Sequence, residues 1–291
     1  MKQIELKALA KINLGLDVLR RREDGYHDVR MIMQTIHLYD LLEIQKIREP
    51  EIQIVSNLSF LPVNENNLVY KAARLLQEEF ALTDGISVKL TKRIPVAAGM
   101  AGGSTDAAAM LYAMNQLYDL GLSRRELMKR GVQIGADVPY CLMRGTALAE
   151  GIGEKLTQLP PMIKCPVLIA KPSISVSTRF VYQNLKLDEQ TNHPDIDALM
   201  KDIREKDFDG VCAHMGNVLE SVTIPNYPVI AEIKQQMMRS GAKASMMSGS
   251  GPTVFGLFED GETAKRALRE MKRSGLAKQV YLTTIYNNRR K

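Results

Sequence analysis

Apolar and polar residues alternate along the first part of the chain. Between positions 4 and 16, every second residue is Ile, Leu or Ala, whereas most of the intervening residues are charged or polar. A period of two is that of a β-strand with one buried face, so this segment is predicted to be a strand. Similar patterns predict strands at 29–47, 51–56, 86–91, 145–156 (with a glycine turn), 167–170, 243–247, 253–258 and 279–285.

Other segments repeat their apolar residues at intervals of three or four. Residues 67–80 have apolar residues at helical spacing, namely Leu68, Ala72, Leu75, Leu76 and Phe80. The same pattern predicts helices at 107–118, 123–134, 178–185, 195–204, 207–219, 228–240 and 261–273.

The order of these elements indicates the fold class. Strands and helices are mixed without a strict strand–helix–strand alternation, which is typical of an α+β protein. A chain of 291 residues can bury enough apolar surface for two domains. The consecutive prolines Pro160 and Pro161 are the predicted boundary, which gives domains of residues 1–160 and 161–291.

Composition narrows the class of protein. Hydrophobic residues make up 45% and charged residues 25%, values that are ordinary for a globular protein. The first residues are charged where a signal peptide would be apolar, and no apolar run approaches the ~18 residues of a membrane span. We therefore expect a cytoplasmic protein without a membrane partner. The three cysteines form no Cys-x-x-Cys pair, so neither a disulfide framework nor a zinc site is expected.

The net charge of +6 has two interpretations. A basic surface can bind nucleic acid, or it can attract small anionic substrates. The sequence contains no helix-turn-helix, zinc-finger or aromatic stacking motif, so we expect small anions and no nucleic acid partner.

Residues 95–109 carry the first candidate for chemistry. Gly99, Gly102 and Gly103 lead into Ser104 and Thr105, and small residues follow at helical spacing. Glycines let a backbone approach a ligand, and a helix that begins after them points N–H groups at an anion such as phosphate. The segment has neither the Gly-Lys-Ser/Thr of a Walker A loop nor the dinucleotide pattern. A plain helix entry with Ser104 as N-cap is the alternative.

Four further motifs are weaker when each is taken alone. Lys11 and Asn13 lie on the polar face of the first strand and could be merely solvated. Asp137 precedes Val-Pro and suits a helix cap as well as a catalytic base.

The other two motifs are turns. Gly25-Tyr26-His27 could stack on and hydrogen-bond a planar ring, or could be surface turn chemistry. Ser248–Thr253 could form a second backbone cradle around its two glycines, or a plain turn.

Taken together, these motifs resemble the set found in the GHMP small-molecule kinases. Residues 10–14, 24–27 and 135–139 are similar to those of the members that act on 4-diphosphocytidyl-2-C-methyl-D-erythritol. The resemblance runs from about residue 5 to about residue 285. It implies an N-terminal domain like ribosomal protein S5 domain 2 and a ferredoxin-like C-terminal domain.

The resemblance also implies an activity. The expected reaction is ATP-dependent phosphorylation of the 2-hydroxyl of this cytidine diphosphate ester of methylerythritol, in the non-mevalonate route to isopentenyl diphosphate. Alternatives are another GHMP kinase, for homoserine, mevalonate or a sugar, and a GHMP fold kept as a ligand sensor without catalysis. A monomer and a homodimer both remain open.

By the same resemblance, Asp137 is the expected base and Lys11 the cation that keeps its carboxylate ionised. Substrate contacts are expected from Asn13, Tyr26, His27 and Tyr182, with Phe180 as the alternative to Tyr182. ATP is expected at Pro95, Val96, Ala97, Ala98, Gly99, Met100, Ala101, Gly102, Gly103, Ser104 and Thr105, with Asn67 and Lys92 near adenine. The second glycine loop is Ser248, Gly249, Ser250 and Gly251.

Two points of the resemblance concern the loop itself. Met100 and Ala101 stand where Leu and Gly are usual in the family, which is expected to tune the loop without abolishing it. Phosphates of ATP require a divalent ion, so Mg²⁺ is implied. Ser104 is a possible ligand for this ion, and no matching Glu is identified.

Overall fold

The computed structural model describes residues 2–188 and 191–288. The chain forms two compact units, each assembled from separate segments. The predicted boundary at Pro160–Pro161 stays a prediction. The first unit comprises Met1–Ala10, Leu38–Val96 and Ala101–Met143, and the second comprises Lys11–His37, Ala97–Met100 and Arg144–Lys291.

The strands agree with the alternating patterns to within a few residues, except that β1 and β2 are longer than predicted and β8 was not predicted. The predicted strand at 145–156 is a pair of strands joined by a turn with Gly151 and Gly153 at positive φ. The strands are β1 (Gln3–Arg21), β2 (His27–Ile47), β3 (Ile52–Ser56), β4 (Gly85–Thr91), β5 (Thr146–Gly151), β6 (Lys155–Gln158), β7 (Pro166–Lys171), β8 (Gly216–Asn217), β9 (Ala244–Met247), β10 (Val254–Leu257) and β11 (Gln279–Thr284).

Each predicted helix is also present, with two additions that the apolar spacing did not indicate. The additions are the short helices α4 and α8. The helices are α1 (Leu68–Glu79), α2 (Gly102–Leu117), α3 (Arg124–Ile134), α4 (Val138–Met143), α5 (Thr178–Asn184), α6 (Ile196–Glu205), α7 (Phe208–His214), α8 (Glu220–Asn226), α9 (Val229–Arg239) and α10 (Gly261–Ser274). Within residues 2–188 and 191–288, none of them is long and apolar enough to cross a membrane.

In the first unit, β4 lies between a parallel β3 and the antiparallel second half of β2. Helix α2 packs against α1, α3 and α4, and its side chains are buried on most sides. Polar side chains fix where the neighbouring helices begin. Asn67 accepts a hydrogen bond from the Val69 N–H at the start of α1, and Ser123 with Glu126 forms a capping box for α3.

In the second unit, a four-stranded antiparallel sheet has the order β11-β7-β10-β9. Helices α5–α9 follow β7, and α10 joins β10 to β11, so the path is of the strand–helix–strand–strand–helix–strand kind. Helices α9 and α10 pack on the sheet, and every residue of its inner strand β10 is buried. This topology confirms the expected ferredoxin-like arrangement.

The predicted helix at 207–219 is wrong in its second half. Helix α7 ends at His214, and Gly216–Asn217 then pairs as a short parallel strand with Gly15 and Leu16 of β1. This pairing joins residues about two hundred positions apart, so no local spacing could indicate it. Its position matters because β1 also carries Lys11 and Asn13.

Candidate active site

The glycine loop has a left-handed backbone at every second position. Ala97, Gly99 and Ala101 have φ values of +51°, +70° and +56°. Left-handed residues at such intervals turn successive N–H groups toward one side and form the concavity that binds anions. Alanine adopts this conformation at a cost of about 1–3 kcal/mol, which folded proteins tolerate mainly at functional sites. Ala101 therefore occupies a conformation suited to the glycine that is usual there.

Helix α2 begins inside the loop, at Gly102. Ala101 is its N-cap and no side chain caps its first amides. The alternative of a plain helix entry with Ser104 as N-cap is therefore wrong, because Ser104 is the third residue of the helix. The first amides of a helix have no carbonyl partner within it, and the helix dipole adds positive potential there. Helix α2, which is 16 residues long, thus presents uncapped N–H groups directly after the left-handed segment.

Three other segments of the first unit lie close to the first turn of α2. A Cβ built on Gly103 would lie 3.4 Å from Leu68 Cδ1, at the start of α1. A Cβ on Gly102 would lie 3.3 Å from Lys92 Nζ, and one on Gly135 would lie 4.0 Å from Ser104 Oγ. The structure thus brings the turn before Asp137 close to the first turn of α2, where the glycine loop ends.

Asp137 immediately precedes α4, and its carbonyl accepts a hydrogen bond from the Cys141 N–H at 3.0 Å. This confirms the prediction of a position near a helix cap. The residue is half-buried. Asp137 and Lys11 belong to different units, and their pairing stays a prediction.

In the second unit, Lys11 and Asn13 are buried, with 5% and 0% of their surface exposed. The alternative of a solvated strand face is therefore wrong. Lys11 Nζ donates to Asn13 Oδ1 at 2.8 Å, and Asn13 Nδ2 contacts Met31 Sδ at 3.3 Å. The Lys11 N–H donates to the Met100 carbonyl at 3.2 Å, which attaches the glycine loop to β1.

The second glycine loop touches the first. Ser248 Oγ donates to the Gly99 carbonyl at 2.9 Å, and a Cβ on Gly99 would lie only 2.0 Å from the Ser248 carbonyl oxygen. Gly249 packs on the same residue, since its Cβ would lie 3.3 Å from the Gly99 oxygen. Ser250 Oγ hydrogen-bonds Thr178 Oγ1 at 2.8 Å. The Ser248–Thr253 segment is thus more than a plain turn, because it supports the glycine loop.

This contact leads to a test of the glycine requirement. Gly99→Ala is expected to lower the free energy of unfolding by about 2–3 kcal/mol more than Gly121→Ala, because only the first substitution overpacks a backbone contact. Gly121 is a matched control, with φ +69° and nothing within 4 Å of an added Cβ. Urea unfolding of both variants measures the difference. Equal losses would show that the loop yields freely to the added methyl group.

The turn at residues 24–27 presents its aromatic residue to solvent. Asp24 Oδ1 accepts a hydrogen bond from the Tyr26 N–H at 3.0 Å, Gly25 has φ +85°, and 61% of Tyr26 is exposed. Burial, and then the charge of Arg21, lower the pKa of His27 below the ordinary value for histidine. At neutral pH its ring is therefore uncharged and can both donate and accept a hydrogen bond.

The structure brings one of the two candidate aromatic partners to this turn. The rings of His27 and Tyr182 have centroids 5.1 Å apart and are inclined by 44°. Phe180, the alternative, is 37% exposed on the first turn of α5. The geometry favours Tyr182, and a sandwich of cytosine between Tyr26 and Tyr182 stays a prediction.

Asn67 and Lys92 have structural partners that the sequence did not indicate. Asn67 caps α1 and donates to the Pro62 carbonyl at 2.7 Å. Lys92 Nζ lies between two buried carboxylates, those of Asp40 and, at 2.6 Å, Asp106. Their predicted adenine contacts are untested, but the Lys92 ammonium itself is buried and engaged by both acids.

Within this buried cluster, the surroundings shift the pKa values of Lys92 and Asp106. Burial opposes the charge of Lys92, but Asp106 and Asp40 outweigh it and raise the pKa of the lysine. Burial raises the pKa of Asp106 well above its usual range, although Lys92 acts against this. Asp40 accepts two further hydrogen bonds from the N–H groups of Arg93 and Ile94, whereas Asp106 Oδ1 has no partner in the described residues. Asp40 therefore has the more complete set of hydrogen-bond donors of the two acids.

Metal ligands are sparse in the described part of the chain. Within residues 2–188 and 191–288, no three His, Cys, Asp or Glu side chains lie close enough together to hold a metal ion. Ser104, the predicted Mg²⁺ ligand, has a half-buried hydroxyl group on the first turn of α2. A hydroxyl oxygen suits Mg²⁺, which usually keeps water and phosphate oxygens as its other ligands.

Comparison with known proteins places this geometry in a family. The GHMP kinases N terminal domain matches residues 67–145, and the GHMP kinases C terminal domain matches residues 199–277. A 4-diphosphocytidyl-2-C-methyl-D-erythritol kinase from Lachnospira eligens is 59% identical over 98% of this chain and 99% of its own. A second, from Lachnoclostridium phytofermentans, is 55% identical over 98% of both chains.

The solved structures that this fold matches include a kinase named for the same substrate as these relatives. A crystal structure of 4-(cytidine 5'-diphospho)-2C-methyl-D-erythritol kinase matches 98% of this chain and 100% of its own, with a TM-score of 0.85 and 31% identity. A homoserine kinase from Cytophaga hutchinsonii has a TM-score of 0.78 at 22% identity over 98% of this chain and 96% of its own, which shows a shared fold. The expected two-domain α+β fold is thus confirmed. On the extent and identity of these matches, the chain belongs to the 4-diphosphocytidyl-2-C-methyl-D-erythritol kinase family of the GHMP kinases.

Proposed function

We propose that this chain transfers the γ-phosphate of ATP to the 2-hydroxyl of 4-diphosphocytidyl-2-C-methyl-D-erythritol. The observation that carries the proposal is the loop with left-handed residues 97, 99 and 101, which runs directly into the uncapped start of α2. Such a segment binds phosphate through backbone N–H groups and the helix dipole. The substrate is proposed from the names of the relatives, which are 46–59% identical to this chain.

The proposed chemistry is an in-line displacement at phosphorus. The 2-hydroxyl oxygen attacks the γ-phosphorus, the bond from that phosphorus to the β–γ bridging oxygen breaks, and ADP leaves. The hydroxyl proton passes to the carboxylate of Asp137. Lys11 supplies a fixed positive charge that favours the ionised carboxylate and the developing negative charge on oxygen.

The remaining parts of the site hold the two substrates. The loop amides bind the triphosphate and position its γ-phosphate. The Ser104 hydroxyl would hold Mg²⁺, which would neutralise phosphate charge when bound. Tyr26, His27 and Tyr182 bind the cytosine ring, and Asn13 contacts the rest of the acceptor. A cytoplasmic location, the lack of a nucleic acid partner and the choice between monomer and homodimer stay predictions of the sequence.

A panel of acceptors tests the activity. Purified protein with ATP and Mg²⁺ is offered 4-diphosphocytidyl-2-C-methyl-D-erythritol, homoserine or mevalonate, and ADP release is followed by a coupled assay. We expect turnover with the cytidine substrate alone. Turnover restricted to homoserine or mevalonate would refute the substrate, and ATP binding without turnover on any acceptor would favour the ligand sensor.

The cytosine site can be tested separately from the chemistry. Tyr182→Leu is expected to raise KM for the cytidine substrate by about tenfold or more, because stacking of a base on an aromatic ring contributes about 1–3 kcal/mol. The KM for ATP is expected to stay within about twofold. Phe180→Leu, two residues away on α5, is the matched control. A larger effect of the Phe180 variant would reverse the choice between the two rings.

A further inference from the structure

Asn217 lies outside every predicted motif, yet it is 7% exposed and holds the second glycine loop by its side chain. The two hydrogens of its amide are used on two carbonyls: Nδ2 donates to Met247 O at 2.9 Å and to Gly249 O at 2.8 Å. Its Oδ1 accepts from the Leu219 N–H at 3.0 Å. One side chain thus fixes the backbone on both sides of Ser248.

Asn217 is itself held firmly. It forms half of strand β8, whose parallel pairing with Gly15 and Leu16 joins it to β1. Next to it, Glu220 Oε1 accepts from the Met247 N–H at 2.7 Å, and Lys234 pairs with the same carboxylate at 2.5 Å. The start of the Ser248–Thr253 turn is therefore attached at two points to a rigid part of the second unit.

Ser248, which Asn217 holds from both sides, in turn contacts the glycine loop. Ser248 hydrogen-bonds the Gly99 carbonyl, and the Ser248 carbonyl leaves no room for a Cβ on Gly99. A displacement of Ser248 or Gly249 must therefore move Gly99, whose φ of +70° is part of the anion-binding conformation. Close-packed contacts transmit such displacements because they contain no free space to absorb them.

We infer that Asn217 is a positioning residue for ATP: it holds the Ser248–Thr253 turn against Gly99 and thereby fixes the glycine loop in its phosphate-binding shape. This inference rests on the proposed function, which places the phosphates of ATP on that loop. It adds a residue that contacts neither substrate. Its effect is expected on ATP binding and not on the cytosine site.

The test measures the Kd of a non-hydrolysable ATP analogue by titration calorimetry on the full chain. Asn217→Ala is expected to weaken binding about tenfold, and Ser248→Ala about threefold, since each removes buried hydrogen bonds that fix the loop. The double variant is expected to lose less than the product of the two effects, because Asn217 acts through Ser248. The KM for ATP should rise in parallel, while the KM for the cytidine substrate stays unchanged.

Asn226→Ala is the control for general destabilisation. Asn226 ends helix α8, and its Nδ2 donates to the Val222 carbonyl at 2.8 Å, a hydrogen bond that involves no residue of the Ser248–Thr253 turn. The inference is overturned if Asn217→Ala binds the analogue no more weakly than this control, or if the two single effects multiply in full. Should Asn217→Ala not fold, an unchanged Kd in Ser248→Ala overturns it. Failure of the wild-type chain to bind the analogue would instead refute the proposed function.

Discussion

Asn in place of Asp137 is expected to lower kcat by about 10²–10⁴-fold, the usual contribution of a positioned general base. The substitution keeps the size of the side chain and removes its ability to accept the hydroxyl proton. The backbone role of Asp137 at the start of α4 is kept, so folding should change little. The Kd for ATP is expected to stay within about twofold, because the phosphates are bound by loop amides. Steady-state kinetics and titration with an ATP analogue measure the two quantities.

Two companion variants sharpen this test. Lys11→Met should also reduce kcat, since it removes the cation that stabilises the carboxylate and the attacking oxygen. Asp119→Asn is a matched control, because Asp119 is exposed and its ion pair with Lys2 lies on the surface. If Asp137→Asn retains turnover within about tenfold of the wild-type value, Asp137 is not the base.

The elements of the fold could largely be predicted because their signals are local. Alternation marked the strands and apolar spacing marked the longer helices. The failures are non-local. Strand β8 has two residues and exists only because β1 accepts it as a parallel neighbour. Helices α4 and α8 are too short to show a repeating pattern.

The motifs marked the parts of the candidate site, but they did not indicate the contacts between those parts. The glycine loop, Asp137 and the second glycine turn were candidates from sequence, and the structure joins the two glycine segments through Gly99 and Ser248 across 149 positions. The burial of Lys11 and Asn13 could not be read from an alternating strand, because their face looks polar in sequence. Polar residues on a buried face need partners, and here Lys11 donates to Asn13 on the same strand while Asn13 contacts Met31 of β2.

The buried cluster of Lys92, Asp40 and Asp106 shows the same limit most clearly. Its two ion pairs join residues 52 and 14 positions apart, and nothing in the local sequence distinguishes these charges from surface ones. Asp106 even lies in the segment of small residues after the glycine loop. Only the packed structure shows that the first turn of α2 rests beside an internal charge cluster.

Lys92→Met is accordingly expected to lower the free energy of unfolding by about 3–5 kcal/mol, because it leaves buried carboxylate charge without its cation. Methionine fills a similar volume, so the loss reports charge more than packing. Lys243→Met is the control: Lys243 pairs with Asp209 at 2.9 Å on the surface, where an ion pair contributes about 0–1 kcal/mol. Urea unfolding at neutral pH measures both. Similar losses in the two variants would contradict the expectation.

Asp106→Asn separates the roles of the two acids. Because burial raises the pKa of Asp106 in the folded chain, the folded state keeps a proton that the unfolded state has already released. Its contribution to stability is therefore present at low pH and is lost as pH rises from the ordinary range of an aspartic acid through the folded pKa. Asparagine resembles the protonated acid and cannot titrate, so the variant should show a flatter dependence of stability on pH. Parallel stability curves for the wild-type chain and Asp106→Asn would show that folding does not raise the pKa of Asp106, and would contradict this expectation.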